Sequence, residues 1–241
     1  MNPYLSSSSL KSLARGQLLG RYRSVVSIFL LHVLCIMGIN VVVTMVLQPT
    51  TLVRSFLYYI ASYLIYVLSG FFQAGESYVY LKIANNQPVT SRDLFFCFKE
   101  DNNRTAAIQI WLAAFKLMAL LPSVIYYHFF MSSTNILGID RTYTILLLFG
   151  MLCCLWIQIL FSQCFYLMLD FEEYSARQIM KKSLQLIKGS KRRLLYIMLS
   201  FLPLYLLGFL SCGIGFLWVI PYTYATYTNF YLDLIKKGNS L

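Results

Sequence analysis

Long apolar stretches dominate the hydrophobic pattern of this chain. Six of them have the length, about 20 residues, that a helix needs to cross the hydrocarbon core of a bilayer. They run too far without polar interruption for the strands of a membrane barrel, which alternate over about 10 residues. The pattern therefore predicts six transmembrane helices, at 24–47, 56–80, 108–130, 143–169, 194–210 and 213–232.

We expect an all-α polytopic membrane protein whose six spans pair into three hairpins. The last hairpin has almost no loop, because Gly208, Ser211, Gly213 and Gly215 allow a tight turn and close helix packing. The predicted single domain, 1–241, divides into an N-terminal segment, three pairs of spans, two connections and a tail: 1–23, 24–80, 81–107, 108–169, 170–193, 194–232 and 233–241.

Composition supports this interpretation. Hydrophobic residues make up 59% of the chain and charged residues only 12%, with a mean hydropathy of +0.64. A soluble domain carries about 25% charged residues, so the composition excludes a water-soluble enzyme. The six cysteines show no Cys-x-x-Cys spacing and are expected to be buried free thiols, so we predict neither a metal nor a cofactor.

The distribution of positive charge predicts the orientation. All but three of the 20 Lys and Arg residues fall before the first span, between alternate spans, or in the tail; the exceptions are Arg54, Lys116 and Arg141. Cytoplasmic segments carry such an excess, so both termini are expected in the cytoplasm. The net charge of +11 fits contact with anionic lipid headgroups at the inner leaflet. No soluble basic domain exists for nucleic-acid binding.

Three cytoplasmic segments have amphipathic patterns and are expected to lie at the membrane surface: 9–21, 93–98 with Ser91 as a possible N-cap, and 175–193. In the last, Met180, Leu184 and Ile187 form an apolar edge, and Gly189 is a plausible helix end. The basic residues of this segment have two interpretations, and both remain open. Either their positive charge only keeps the segment on the cytoplasmic side, or they form a surface for anionic lipid or a protein partner. These residues are Lys181, Lys182, Lys188, Lys191, Arg192 and Arg193.

Polar residues recur at helical spacing inside the spans. The candidate intramembrane polar site consists of Gln73, Glu76, Lys116, Tyr222, Asn229 and Asp233. A charged group inside a membrane usually faces the bundle interior or a wet cavity, and Glu76 is the natural candidate partner for Lys116. Either these residues line a cytoplasm-facing cavity for an ion, a lipid headgroup or a small solute, or they pack helices together.

Several short motifs are distributed along the chain. They are Ala14-Arg15, Asp93-Leu94-Phe95 with Phe98, Asp170, Ser183, Lys188-Gly189 with Lys191, Leu199-Ser200-Phe201, Gly213-Ile214-Gly215 with Trp218 and Pro221-Tyr222, and Phe230-Tyr231. Together these motifs resemble a bacterial integral-membrane family, domain-of-unknown-function family 975. The resemblance covers most of the chain and implies a six-helix inner-membrane protein of bacteria, without implying an activity. A Lys-Gly-His-Lys-Trp-like run usual in that family reads Lys-Gly-Ser-Lys-Arg here, and a Pro-Gly pair often found in the fourth span is missing.

Three classes of function remain open. The first is a non-enzymatic accessory or envelope-associated component that binds lipid or a membrane-protein partner. The second is a transporter of an ion, a small solute or a lipid. The third is a membrane-embedded enzyme acting on lipid with Glu76 and Asp233 as its acids. The chain has no Gly-rich phosphate loop, Gly-x-Ser-x-Gly or His-Glu-x-x-His motif, so we favour the first class and expect no enzyme.

Overall fold

The computed structural model describes residues 4–48, 50–129 and 140–238, and all regular structure within these ranges is helical. The all-α prediction is confirmed. The predicted end of the third span at Phe130 and the last three residues of the tail lie outside the described residues. The helices are α1 (Ser7–Leu18), α2 (Tyr22–Val46), α3 (Leu52–Ala84), a 3-10 helix (Ser91–Phe95), α4 (Phe96–Lys99), α5 (Asn102–Phe129), α6 (Arg141–Leu160), α7 (Cys164–Asp170), α8 (Ala176–Leu186), α9 (Lys191–Leu199), α10 (Leu202–Leu210) and α11 (Phe216–Gly238).

Five helices of the described chain are long and apolar enough to cross a membrane. They are α2, α3, α5, the continuous pair α6–α7, and the pair α9–α10. The last predicted span, 213–232, corresponds to α11, which is 23 residues long but is not apolar enough to join the five. The count of six spans and the arrangement in three hairpins therefore stay predictions.

The polar character of α11 has a structural reason, because this helix is the most enclosed of the bundle. It packs against α1, α2, α3, α8 and α10. Four of its polar side chains donate to the backbone carbonyl one turn earlier: Thr223 to Val219, Thr226 to Tyr222, Thr228 to Tyr224, and Asn229 to Ala225. A helix that faces protein on most sides satisfies its polar groups internally and needs no apolar surface toward lipid.

Helix α1 packs against α11, and this corrects the expectation that its apolar face rests on the membrane surface. Leu10, Ala14 and Leu18 follow one another at intervals of four residues and are fully buried. Such spacing places the three side chains on one helical face. Ser6 caps the helix by accepting a hydrogen bond from the Ser9 N–H. The predicted amphipathic helix exists, but its apolar stripe faces protein.

The second short segment that was predicted to lie at the membrane surface also packs against the bundle, with Leu94 and Cys97 fully buried. Its cap is Thr90 rather than the predicted Ser91: the Asp93 carboxylate accepts a hydrogen bond of 2.7 Å from the Thr90 N–H. Burial raises the pKa of Asp93, but the Thr90 N–H and the Lys82 ammonium outweigh it and hold that pKa below its usual value.

Helix α8 begins and ends close to the predicted points, with Ser175 as its N-cap and Gly189 at a φ of +89° just beyond it. Its buried face matches the predicted apolar edge only in part. Ile187 belongs to that edge and is fully buried, together with Ile179 and Ser183, whereas Leu184 is exposed. Met180 and Leu184 were assigned one position out of register, because the buried stripe includes the small polar residue Ser183, which donates to the Leu160 carbonyl.

Helix α3 and the connection from α3 to α5 approach each other closely at Gly75. A Cβ atom added there would collide with the carbonyl oxygen of Leu94. Since that oxygen belongs to the backbone, a rotamer change could not relieve the collision. Gly75 therefore fixes how closely the 3-10 helix packs on α3.

We predict that Gly75→Ala destabilises the protein by about 1–3 kcal/mol, because overpacking forces the backbone of the connection outward. Thermal unfolding in detergent measures the effect. Gly38→Ala is the matched control, since Gly38 also lies in a long helix but has no atom within 4 Å of an added Cβ. Equal melting temperatures for the two variants would contradict the packing argument.

Candidate functional site

A cavity of about 340 Å³ lies within the bundle, between α3, α5, α6, α9, α10 and α11. Its lining combines amide and hydroxyl groups, tyrosine rings, one ammonium and apolar side chains. The lining residues are Tyr66, Gln73, Ser77, Gln109, Leu112, Lys116, Ile157, Gln158, Phe161, Ser162, Phe165, Tyr166, Leu194, Met198, Tyr205, Ile220, Thr223, Tyr224 and Tyr227.

Two of the six predicted site residues, Gln73 and Lys116, lie in this cavity. Gln109 stands beside them and is held by a hydrogen bond of 3.0 Å from its Nε2 to the Tyr66 carbonyl. Gly70 makes this crossing from α5 to α3 possible, because a Cβ at that position would overlap the Gln109 side chain. The predicted polar stripe of α3 therefore contributes to a real cavity, but only in part.

Tyrosines form much of the rest of the wall, and the sequence interpretation missed them. Tyr205 donates a hydrogen bond of 3.2 Å to Thr223, which connects α10 to α11. Tyr166 accepts a bond of 3.2 Å from Thr228 and stacks on Tyr231. These rings come from helices far apart in the chain, so helical spacing within one span could not group them.

The predicted pairing of Lys116 with Glu76 is wrong. Lys116 Nζ instead donates to Gln158 Oε1 at 2.7 Å, and it lies 5.2 Å from the centre of the Tyr66 ring. Glu76 is absent from the cavity lining. Counting positions along each helix placed both residues in the interior, but it could not determine which sides of α3 and α5 face each other.

Glu76 pairs with a residue that the sequence interpretation left without a role. Its Oε1 lies 2.8 Å from Nδ1 of His32, and the Glu76 side chain is only 3% exposed. The His32 ring stacks on Phe72 with 5.1 Å between ring centres. A buried carboxyl group requires such a partner, so this pair joins α2 to α3. The sequence does contain a signal for this pair, because the first apolar span has a single histidine and the second has a single acid.

Tyr222 and Asn229 do not line the cavity; they bind α1. Arg15 Nε donates to the Tyr222 hydroxyl at 3.0 Å. The side-chain amides of Gln17 and Asn229 exchange two hydrogen bonds, of 2.7 and 3.1 Å. These contacts lie beside the buried stripe of α1 and fix its register on α11.

Asp233 forms the second part of this attachment. It lies 2.5 Å from Arg193 Nη2, and the two side chains are 6% and 18% exposed. Both Asp233 oxygens accept from the Leu5 N–H, at 3.3 and 3.4 Å, and Arg193 donates to the Leu5 carbonyl at 2.7 Å. The Arg193 guanidinium also packs between the rings of Tyr4 and Phe230.

Arg193 therefore serves the interior, which corrects its assignment as a contact for anionic lipid. Lys191 is half-buried, with its ammonium 5.2 Å from the Trp156 ring. The other four predicted lipid contacts, Lys181, Lys182, Lys188 and Arg192, are exposed. Within the described ranges, no group of three or more His, Cys, Asp or Glu side chains could hold a metal ion.

The fold and the cavity define a class: an all-helical protein with several membrane-compatible helices and an internal, mixed polar and apolar cavity. Residues 1–238 match the family model described as "Protein of unknown function (DUF975)", and the chain belongs to that family. This confirms the family resemblance. No curated protein matches the chain, and no solved structure matches it.

We predict that Asp233→Asn loosens α1. Hydrogen bonds to charged groups contribute about 1.5–3 kcal/mol, and the substitution also leaves Arg193 partly buried without its counter-charge. Amide hydrogen exchange of residues 7–18 is expected to accelerate by a corresponding factor of about 10–100. Glu173→Gln, at an exposed acid, is the control. Unchanged protection of α1 in Asp233→Asn would show that the attachment does not depend on this ion pair.

Proposed function

We propose that this protein is a non-enzymatic component of the bacterial inner membrane that binds a lipid-like molecule in the cavity described above. In this proposal the chain crosses the membrane six times, with α11 as the sixth crossing and both termini in the cytoplasm. The charge distribution and the five apolar helices support the proposed topology.

The observation that carries the proposal is the mixed lining of the cavity. Leu112, Ile157, Phe161 and Met198 contribute apolar surface to the cavity, while amides, hydroxyls and Lys116 in the same lining offer hydrogen bonds. Ligand sites are typically concave and mostly apolar, with a few polar groups that orient the ligand. A molecule with one polar end and an apolar body matches both kinds of lining group.

Access to the cavity supports a ligand that arrives from the bilayer. Gln158 on the rim is exposed, and Lys116 behind it is half-buried, so the cavity is open at this point. Trp156 and Leu155, the neighbouring residues of α6, are exposed apolar side chains of the kind that face lipid. The rim therefore lies on a surface suited to acyl chains.

We predict that Ser162→Phe, which places a ring in the cavity, reduces the lipid that remains bound through purification by about tenfold, a loss of roughly 1.4 kcal/mol. Native mass spectrometry of the detergent-solubilised protein measures the bound fraction. Ser27→Phe is the matched control: both serines donate to the carbonyl three residues earlier, but Ser27 is exposed on α2.

Undiminished lipid binding in Ser162→Phe, with Ser27→Phe behaving like the wild type, would contradict a ligand in the cavity. Equal loss in both variants would mean that lipid is retained on the outer surface of the helices, and this also contradicts the proposal. Monodisperse elution of both variants shows that the comparison concerns folded protein.

A transporter is the second candidate, and the open rim of the cavity favours it. A site that opens on one face is one of the states that alternating access requires. Flux across proteoliposome membranes distinguishes the two functions, because an accessory component binds its ligand without moving it to the other side.

The exposed basic residues suit a supporting role at the inner leaflet. Lys181, Lys182, Lys188 and Arg192 project from α8 and the start of α9. Each Lys or Arg near an anionic surface contributes about 1 kcal/mol of attraction. We propose that they contact anionic lipid headgroups there, and that a membrane-protein partner could dock on the same face.

The proposed topology is testable with a native cysteine. Cys212 is exposed in the turn between α10 and α11, which the topology places outside the cell. We predict that a membrane-impermeant maleimide labels it in intact cells and that Cys212→Ser abolishes the labelling. Burial raises the pKa of Cys97, on the cytoplasmic side, to about 12, so that thiol is expected to stay unreactive. If Cys212 is labelled only after permeabilisation, the turn lies in the cytoplasm and the proposed orientation is wrong.

A further inference from the structure

The charge environment of the cavity is unusual for a membrane-embedded site. Lys116 lies midway along α5 and is the only charged residue in the described lining of the cavity. A charged side chain at the centre of a membrane costs several kcal/mol unless it is paired or hydrated. Such a residue requires an explanation beyond packing.

No acid of this chain compensates Lys116. The structure describes all nine Asp and Glu residues, and none of them forms an ion pair with it. The buried and half-buried acids instead have partners of their own. Glu76 pairs with His32, Asp93 with Lys82, and Asp233 with Arg193.

The partners that Lys116 does have are neutral. Gln158 accepts one hydrogen bond, and the Tyr66 ring offers its electron-rich face. An ammonium group has three donors, and among the described residues only Gln158 accepts from it. Two donors therefore remain available toward the cavity and its rim.

From this geometry we infer that the cavity recognises an anionic group, a carboxylate or a phosphate, bound at Lys116 Nζ beside the side-chain amide of Gln158. The inference rests on the proposed function and deepens it by naming the chemistry of the ligand's polar end. Leu112, Ile157 and Phe161 also line the cavity and would hold an apolar body attached to the anion.

The contrast with Arg193 strengthens this assignment. Arg193 is also a half-buried cation, but the chain supplies its carboxylate, Asp233, and two aromatic rings. At Lys116 the aromatic ring and a neutral acceptor are present, while the carboxylate is missing. An anionic ligand would supply to Lys116 the negative charge that Asp233 supplies to Arg193.

The experiment compares Lys116→Met with Lys116→Arg. Lys99→Met is the control, because Lys99 is exposed on α4 and belongs neither to the cavity lining nor to the basic residues proposed to contact headgroups. Native mass spectrometry measures binding of phosphatidylglycerol against zwitterionic phosphatidylcholine. Dodecanoate and inorganic phosphate serve as further probes in a thermal-shift assay. We expect Lys116→Met to weaken binding of the anionic probe by at least about tenfold, with Lys116→Arg and Lys99→Met close to the wild type.

The source of the anion follows from which probes protect the wild type. Protection by phosphatidylglycerol or dodecanoate but not by inorganic phosphate assigns a lipid, and protection by phosphate alone assigns a small solute. Equal binding of anionic and zwitterionic lipid, or unchanged anion binding in Lys116→Met, overturns the inference. If Ser162→Phe loses lipid while Lys116→Met keeps the anion preference of the wild type, the proposed function stands and this inference about the anion does not.

Discussion

The structure depends on enclosing one polar helix within a set of apolar ones. Helix α11 carries threonines, an asparagine and an aspartate at positions that lie deep in the bundle, and each must find a partner in the absence of water. Thr226 and Thr228 bond to their own helix, whereas Asn229 and Asp233 reach Gln17, Leu5 and Arg193. The attachment of α1 is therefore a consequence of the polarity of α11.

The ionisable groups of the interior separate into sites with different roles. His32 with Glu76 joins α2 to α3, and Arg193 with Asp233 joins α9 to α11. Both pairs are complete within the chain, so they contribute to structure. Lys116, in contrast, lines the cavity and forms no ion pair with an acid in the described structure. The two paired sets of ionisable groups therefore belong to the scaffold of this protein, and the unpaired Lys116 belongs to its cavity.

Much of the fold was predictable because its strongest signals are local. Apolar length identified the five helices that are long and apolar enough to cross a membrane, and capping residues such as Ser175 and the positive-φ Gly189 marked the limits of α8. The candidate site was predictable only in part, since Gln73 and Lys116 line the cavity but Glu76 faces α2. Spacing within one helix assigns residues to a face, whereas the rotation of each helix against its neighbours is set by contacts such as Gly75 against Leu94. The tyrosines of the cavity wall depend wholly on those rotations.

The long separation between α1 and its partner has a consequence for biogenesis. Gln17 and Asn229 are 212 positions apart, so the ribosome has produced nearly the whole chain before α1 can meet α11. During that interval α11 is not available to cover Leu10, Ala14 and Leu18, and the boundary between lipid headgroups and acyl chains is the nearest apolar environment. The amphipathic pattern of α1 therefore suits a helix bound to the membrane surface in the nascent chain. Helix α1 takes its native position once α11 has been made and inserted.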